Sequence, residues 1–164
     1  MAEWKCYLIM SLDSNDTYVG SSNNHNKRLT QHNNSNPKIK RQGARRTLNQ
    51  LWIPFVIISG FESKNACLSF EYGWKRLGKR RTNKRLDNIN SWLNMELKYT
   101  RNTKWNRMLD LLYFMHNFTF INQKFILNSN LKHPHVNPNK IKISVHLDEW
   151  VCCLPWPNFV STKF

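Results

Sequence analysis

No stretch of this chain approaches the roughly 20 apolar residues of a membrane-spanning helix. The start, Met1-Ala2-Glu3-Trp4-Lys5, has no long apolar run after a basic segment. Neither a membrane span nor a secretory leader is therefore expected. Cysteine is sparse: Cys6 and Cys67 stand singly in apolar segments, while Cys152 and Cys153 are adjacent. That spacing argues against a disulfide framework and offers no C-x-x-C pair, so no zinc is expected. An intracellular protein with reduced thiols, nuclear or cytoplasmic, is the expectation. There is no internal repeat. Acids are scarce as well, with 10 Asp+Glu against 25 Lys+Arg and a formal net charge of +15 over 164 residues. Such an imbalance favours a polyanionic partner, nucleic acid above all. Heavy use of asparagine and lysine hints at an AT-rich genome, cellular or viral.

What is present reads as a small α/β unit followed by an extension. Trp4 to Met10 is an apolar run with aromatic and β-branched members, and the polar Ser11 to Asp16 makes a turn after it. Thr17-Tyr18-Val19 restarts the pattern and Gly20 ends it, so the two runs predict a β-hairpin. Ser21-Ser22-Asn23-Asn24 offers N-caps for a short helix from about His25 to Asn33. From Asn33 to Gln50 the chain is polar and basic, the composition of a solvated loop. Leu51 to Ser59 is a nearly continuous apolar run, the sign of a buried strand, with Pro54 placing its start at or just after that residue. Ser63 caps a helix with the apolar stripe Ala66, Cys67, Phe70, Trp74 and Leu77, ended by Gly78. The order is β-β-α-β-α over about 80 residues.

Beyond the basic run Lys79 to Arg85, apolar residues return at helical spacing. Ile89, Trp92, Leu93 and Leu97 mark one helix, and Trp105, Met108, Leu109, Leu112 and Phe114 another. Phe118 to Leu127 fits strand or helix. His133 to Pro138 reads as a loop, and Ile141 to Leu147 alternates like a strand with one wet face. The division expected is residues 1–85 for the core unit and 86–164 for a mainly helical extension with its tail.

Hydrolysis of a phosphodiester requires a base near water, positive charge on the phosphorane and stabilisation of the leaving oxygen. Glu71 is the sole acid between Glu62 and Asp87, amid Lys64, Lys75, Arg76, Lys79, Arg80 and Arg81. It reads either as a helical ion pair with Lys75 at i+4 or as the single carboxylate that holds one Mg²⁺ with waters and phosphate oxygens. Arg28 and His32, four apart, share a helix face; Tyr7 and Tyr18 lie on neighbouring strands. Each also has an ordinary explanation, as a solvated helix residue or as aromatic packing.

As a set these residues resemble the GIY-YIG nuclease family. The likeness is carried by Cys6-Tyr7, by Tyr18-Val19-Gly20 and by Lys27-Arg28-Leu29-Thr30-Gln31-His32-Asn33. It continues in Gly43 to Thr47, Val56 to Phe61 and Ala66 to Lys75, and it is similar in particular to the Slx-type subunit of structure-specific endonucleases. The resemblance implies a GIY-YIG-like α/β sandwich and a metal-dependent endonuclease, with Mg²⁺ or Mn²⁺ as cofactor. Its substrate would be DNA, branched by preference, cut to 5′-phosphate and 3′-hydroxyl ends in repair or recombination. In that reading Tyr7 orients or deprotonates the attacking water, Tyr18 supports the same site, Arg28 neutralises the phosphate, His32 positions the nucleophile and Glu71 binds the metal. Gly20 would let backbone approach the substrate. A free phenol titrates near about 10, so Tyr7 as a base calls for nearby cations or a metal.

Two departures from that pattern are visible. Lys5-Cys6 stands where the family has Gly and an aliphatic residue, and residues 118–164 lack the cysteine pattern of the subgroup's RING-type zinc domain. The subgroup's scaffold partnership is therefore not carried over, and any scaffold or regulatory partner stays open. Lys27, Lys38, Lys40, Arg41, Arg45, Arg46, Lys75, Arg76, Lys79, Arg80 and Arg81 are the candidate contacts to backbone phosphates. Affinity would then fall by roughly 0.9 log units per log salt for each phosphate neutralised. Three rival readings are a silent nucleic-acid-binding module, a sequence-specific restriction or homing nuclease, and a scaffold-binding protein docking through Leu109 to Phe120. Trp92 and Trp105 fit core helix positions or base stacking.

Overall fold

Lys5–Ser11 forms strand β1, whose residues Cys6 to Ile9 are all buried. A strand with one wet face alternates; this one does not, because helices cover both faces of its sheet. A computed structural model describes residues 2–34, 45–80, 100–127 and 139–164. In it β1 pairs antiparallel with β2 (Thr17–Ser22) on one side and β3 (Trp52–Ser59) on the other. The main sheet has the order β2-β1-β3-β6-β7, where β6 is Ile141–Val145 and β7 is Val160–Lys163. β6 runs antiparallel to β3, and β7 parallel to β6. Helix α1 (His25–Asn33) lies between β2 and β3 in the chain, and α2 (Lys64–Arg80) follows β3. The β-β-α-β-α order expected for a GIY-YIG-like sandwich is thus present. Helix α3 (Thr103–His116) opens the C-terminal part, and β4 (Phe118–Ile121) and β5 (Lys124–Leu127) follow it.

β3 begins earlier than its proline suggests. Leu8 faces Val56 but Ile9 faces Pro54, so Phe55 is the extra residue of a β-bulge. A proline, lacking an N–H, is tolerated at a bulge. The bulge also lets the consecutive Phe55 and Val56 both enter one core. Phe118 to Leu127, open between helix and strand, is a hairpin. Its two turn residues, Asn122 and Gln123, have φ of 50° and 59°, the left-handed values of a primed two-residue turn. Ile141 to Val145 alternates as expected, with Ile141, Ile143 and Val145 inward.

Two apolar layers flank the sheet. The smaller packs Tyr7, Ile9 and Trp52 with Tyr18, Leu29 and Ile57. The larger joins Cys6, Leu8 and Phe55 to α2, α3 and the β4-β5 hairpin. Its centre is aromatic: Phe70 lies 5.1 Å from Phe114 and 5.3 Å from Phe125, ring centre to ring centre. One core therefore holds residues from both sides of position 85. The Leu109 to Phe120 stretch supplies much of it, and Trp105 leans on Trp150 at 5.1 Å. The helix expected around Ile89 to Leu97, with Trp92, and the His133 to Pro138 loop lie outside the described residues. Among the described residues no helix is long and apolar enough to cross a membrane.

α2 is capped as its sequence suggests, the Ser63 hydroxyl accepting from the Ala66 N–H at 3.1 Å. It does not stop at Gly78 but runs to Arg80. The small residues on this helix make room for α3: a Cβ at Gly73 would stand 2.5 Å from the Phe114 ring. Gly73→Ala therefore sets a helix-propensity gain of about 1 kcal/mol against overpacking that costs about 1–3 kcal/mol. Phe114 is wedged between Phe70, Phe118 and Phe125 and cannot retreat. The variant is expected to unfold at lower urea than the unaltered protein; an equal or higher midpoint would show that the ring gives way.

Candidate active site

Tyr7 is on β1, the strand next to the β2 edge, with its phenol under α1. Directly across the hairpin, Gly20 occupies the paired position. A Cβ there would lie 2.5 Å from the Tyr7 hydroxyl and 2.9 Å from the Tyr18 ring. The glycine after Tyr18-Val19 thus clears a space for the neighbouring phenol. In that space Tyr7 Oη meets His32 Nε2 at 3.0 Å, and His32 Nδ1 meets Thr47 Oγ1 at 2.8 Å. His32 reaches inward because α1 is fixed at both ends. Asn24 Oδ1 accepts from the Lys27 N–H at its start, and Asn33 exchanges two hydrogen bonds with the backbone of Trp52 at its end.

Burial sets the electrostatics of this line. It pushes the Tyr7 phenol well above the usual tyrosine range, although the Arg28 guanidinium beside it pulls the other way. Burial also lowers His32 to about 4, with the positive Arg28 adding to the effect. His32 is therefore neutral near pH 7, with one donor and one acceptor nitrogen. The lowering that Tyr7 would need to act as a base is not supplied by Arg28, because desolvation outweighs this nearby cation. Arg28 is half-buried on the same helix, its Nη1 donating to Gln31 at 3.0 Å.

Glu71 approaches from α2, on the opposite face of the sheet, and meets the others at the β2 edge. Its carboxylate accepts from the Ser21 hydroxyl and from Lys75 Nζ. The ion pair with Lys75, the ordinary reading of this acid, is therefore present. Lys75 also lies over the Tyr18 ring, 5.1 Å from its centre, and Tyr18 is 5.1 Å from the His32 ring. The line Tyr7, His32, Tyr18, Lys75, Glu71 is continuous. It holds four of the five residues proposed as catalytic (Tyr7, Tyr18, His32, Glu71), and the fifth, Arg28, stands beside Tyr7. No group of three or more His, Cys, Asp or Glu able to hold a metal occurs among the described residues. A lone carboxylate of this kind suits a hard cation that keeps waters and takes phosphate oxygens, as Mg²⁺ does.

A cleft of about 720 Å³ opens beside Tyr18 and Lys75. Of the proposed phosphate contacts, Arg46, Lys75, Arg76 and Lys79 line it, whereas Arg45 and Lys27 are exposed elsewhere. Lys38, Lys40, Arg41 and Arg81 lie outside the described residues, and Arg80 is the last residue of α2. Sequence reading missed Ser21, Thr47, His25 and Arg107. Thr47 sits in a segment without periodicity, where nothing marks it as buried. His25, whose ring is 5.0 Å from Tyr7, looks like an ordinary helix start.

The titration of His32 has a consequence for stability. The unfolded chain protonates this ring near its ordinary 6.5, the folded chain only near about 4. The unfolded state thus binds more protons between these values, so stability is complete above the upper one and is lost as pH falls toward the lower. His25 and His116 are lowered in the same direction, chiefly by burial. The melting temperature should drop on acidification from about pH 7 to about pH 4, and His32→Gln should flatten that drop. An unchanged slope in the variant would remove His32 as its source.

A sequence profile of the GIY-YIG catalytic domain matches residues 3–86. An uncharacterized protein of Acanthamoeba polyphaga mimivirus is 55% identical over 162 residues, covering 99% of this chain and 96% of that protein. Structure-specific endonuclease subunit SLX1 of Phaeosphaeria nodorum is 41% identical over 73 residues, which is 43% of this chain and 19% of the fungal protein. The protein of the same name from Candida glabrata is 39% identical over 74 residues, 43% of this chain and 23% of its own length. The alignable part is thus about a fifth of each fungal subunit. The profile match, residues 3–86, contains the hairpin, α1 and α2, the elements that carry Tyr7, Tyr18, Arg28, His32 and Glu71. On this match and this fold, the chain belongs to the GIY-YIG catalytic-domain family and is an endonuclease of that family.

Proposed function

We propose that this endonuclease cuts branched DNA, flaps or junctions, in repair or recombination, and that it depends on a divalent metal. The convergence of Tyr7, Tyr18, Arg28, His32 and Glu71 at the β2 edge, beside a cationic cleft, carries the catalytic part of the reading. The likeness to the SLX1 subunits supports the choice of branched DNA. Repair and recombination follow from that substrate class.

The scissile phosphate lies against Arg28, whose fixed charge offsets the charge that builds on the phosphorane. Tyr7 holds the attacking water by its hydroxyl. As the water attacks phosphorus, its proton passes to the Tyr7 oxygen while the phenolic proton moves to His32 Nε2, so no free phenolate is needed. The bond from phosphorus to the 3′ oxygen breaks, leaving a 5′-phosphate and, after protonation by solvent, a 3′-hydroxyl. His32 then releases its added proton to solvent, while Tyr7 keeps the one it took from water. Tyr18 and Lys75 wall the site on the cleft side. Glu71 is the residue that would hold Mg²⁺ or Mn²⁺, which supplies charge neutralisation at the phosphate and the leaving oxygen when bound.

Labelled flap, four-way-junction and plain duplex DNA, incubated with the protein plus Mg²⁺ or chelator, test the reading on a denaturing gel. Nicks should cluster near branch points across unrelated sequences and vanish with chelator. Glu71→Gln should lose cleavage by at least about 100-fold while still binding DNA. Cutting at one fixed sequence irrespective of branching would replace this reading with a sequence-specific nuclease. Tyr7→Phe keeps the ring in its slot and removes only the hydroxyl. It should slow cleavage by about 10²–10⁴-fold and, by leaving buried His32 Nε2 without its partner, cost about 1–3 kcal/mol of stability. Near-normal rates in the folded variant would remove Tyr7 from the proton path.

A further inference from the structure

The cleft beside Tyr18 extends beyond the elements that the family match covers. Its lining joins Tyr18 and Lys75 to Thr103 and Arg107 of α3. Five cationic side chains line it (Arg46, Lys75, Arg76, Lys79 and Arg107) against the single acid Asp16. That acid is already held by Gln50 Nε2 at 3.0 Å. Like charges gathered in one concavity repel unless an anion joins them, and a concave wall strengthens their field.

Arg107 is seated there by its surroundings. Its backbone carbonyl accepts from Trp74 Nε1 at 2.9 Å, which ties this turn of α3 to α2. Its guanidinium lies against Gly78, where a Cβ would overlap Nη1. Gly78, which does not end its helix, therefore gives the arginine a bed. A helix from outside the matched residues 3–86 thereby places a positive group in a cleft that begins at the catalytic tyrosine.

We propose that this cleft is a groove for the phosphodiester backbone of DNA, with Arg107 as its anchor farthest from the scissile phosphate. The proposal rests on the nuclease reading and extends it. The strand leaves the active site past Tyr18 and Lys75, crosses α2 and ends its contact on α3. The C-terminal extension is thus part of the DNA-binding surface.

Fluorescence anisotropy of the full chain with a labelled flap DNA, without divalent metal and over a salt series, tests this. Arg107→Gln should weaken binding about tenfold at low salt and lower the salt slope by about 0.9. Arg107→Lys should retain most of the slope. Thr103→Glu is the second variant: an acid in the first turn of a helix is favourable for folding, yet it puts a negative charge in the cleft. It should weaken binding as well. Folded Arg107→Gln and Thr103→Glu proteins that match the unaltered protein in affinity and slope would overturn the groove and leave the nuclease reading intact. If the unaltered protein bound no DNA, the nuclease reading would fall first.

Discussion

The hydrogen bond between Tyr7 and His32 organises the catalytic side of this molecule. It is made in a dry interior, so its partners must satisfy each other, and their geometry must be held from several directions. Gly20 leaves room for the phenol, Thr47 takes the far nitrogen of the imidazole, and Asn33 clamps the end of α1 to Trp52. Each constraint comes from a different segment. The same burial that fixes the pair raises one group's pKa and lowers the other's, so both are neutral near neutral pH. The neutral pair is the resting state of this interior, because moving the proton from phenol to imidazole would create charge that desolvation opposes.

Charge is organised in the opposite way, at the surface and in excess. Glu71 has one cation, Lys75, directly on it, and the same lysine covers the Tyr18 ring. That lysine joins the catalytic line to the cationic cleft. In the proposed reading, an anionic substrate entering the cleft would meet positive charge from α2, α3 and the turn at Arg46. Asp16 on the cleft wall and Glu71 beyond Lys75 are the carboxylates beside this path among the described residues.

The C-terminal part shares the core of the catalytic unit. Phe114, Phe118 and Phe125 close over Phe70, while β6 lengthens the sheet beside β3. Removing them would expose the apolar stripe of α2, the helix on which Glu71 and Lys75 stand. The extension therefore stabilises the elements that carry the chemistry and, through Arg107, also contributes to the wall of the cleft.

Much of this was legible in order along the chain. The apolar run at Trp4 to Met10, the caps at Asn24 and Ser63, the stripe from Ala66 to Leu77 and the alternation at Ile141 to Val145 are local signals, and local physics governs them. The motif residues could be named for the same reason, since the spacing of Tyr7, Tyr18, Arg28, His32 and Glu71 survives in the linear sequence. Other features depend on contacts between distant segments. The bulge at Phe55 absorbs a proline because Leu8 and Ile9 set the register. The hairpin at Asn122-Gln123 carries no glycine to announce it, and Thr47 is buried only because His32 and Trp52 come to it. Gly20, Gly73 and Gly78 look alike in sequence, yet one clears a phenol, one a phenyl ring and one a guanidinium. Composition determined that this chain would seek a polyanion, and local pattern determined its helices, its strands and the identity of its reactive groups. Tertiary structure alone decided which of those groups lose water, and hence their protonation, because desolvation depends on what packs around a group and not on its neighbours in sequence.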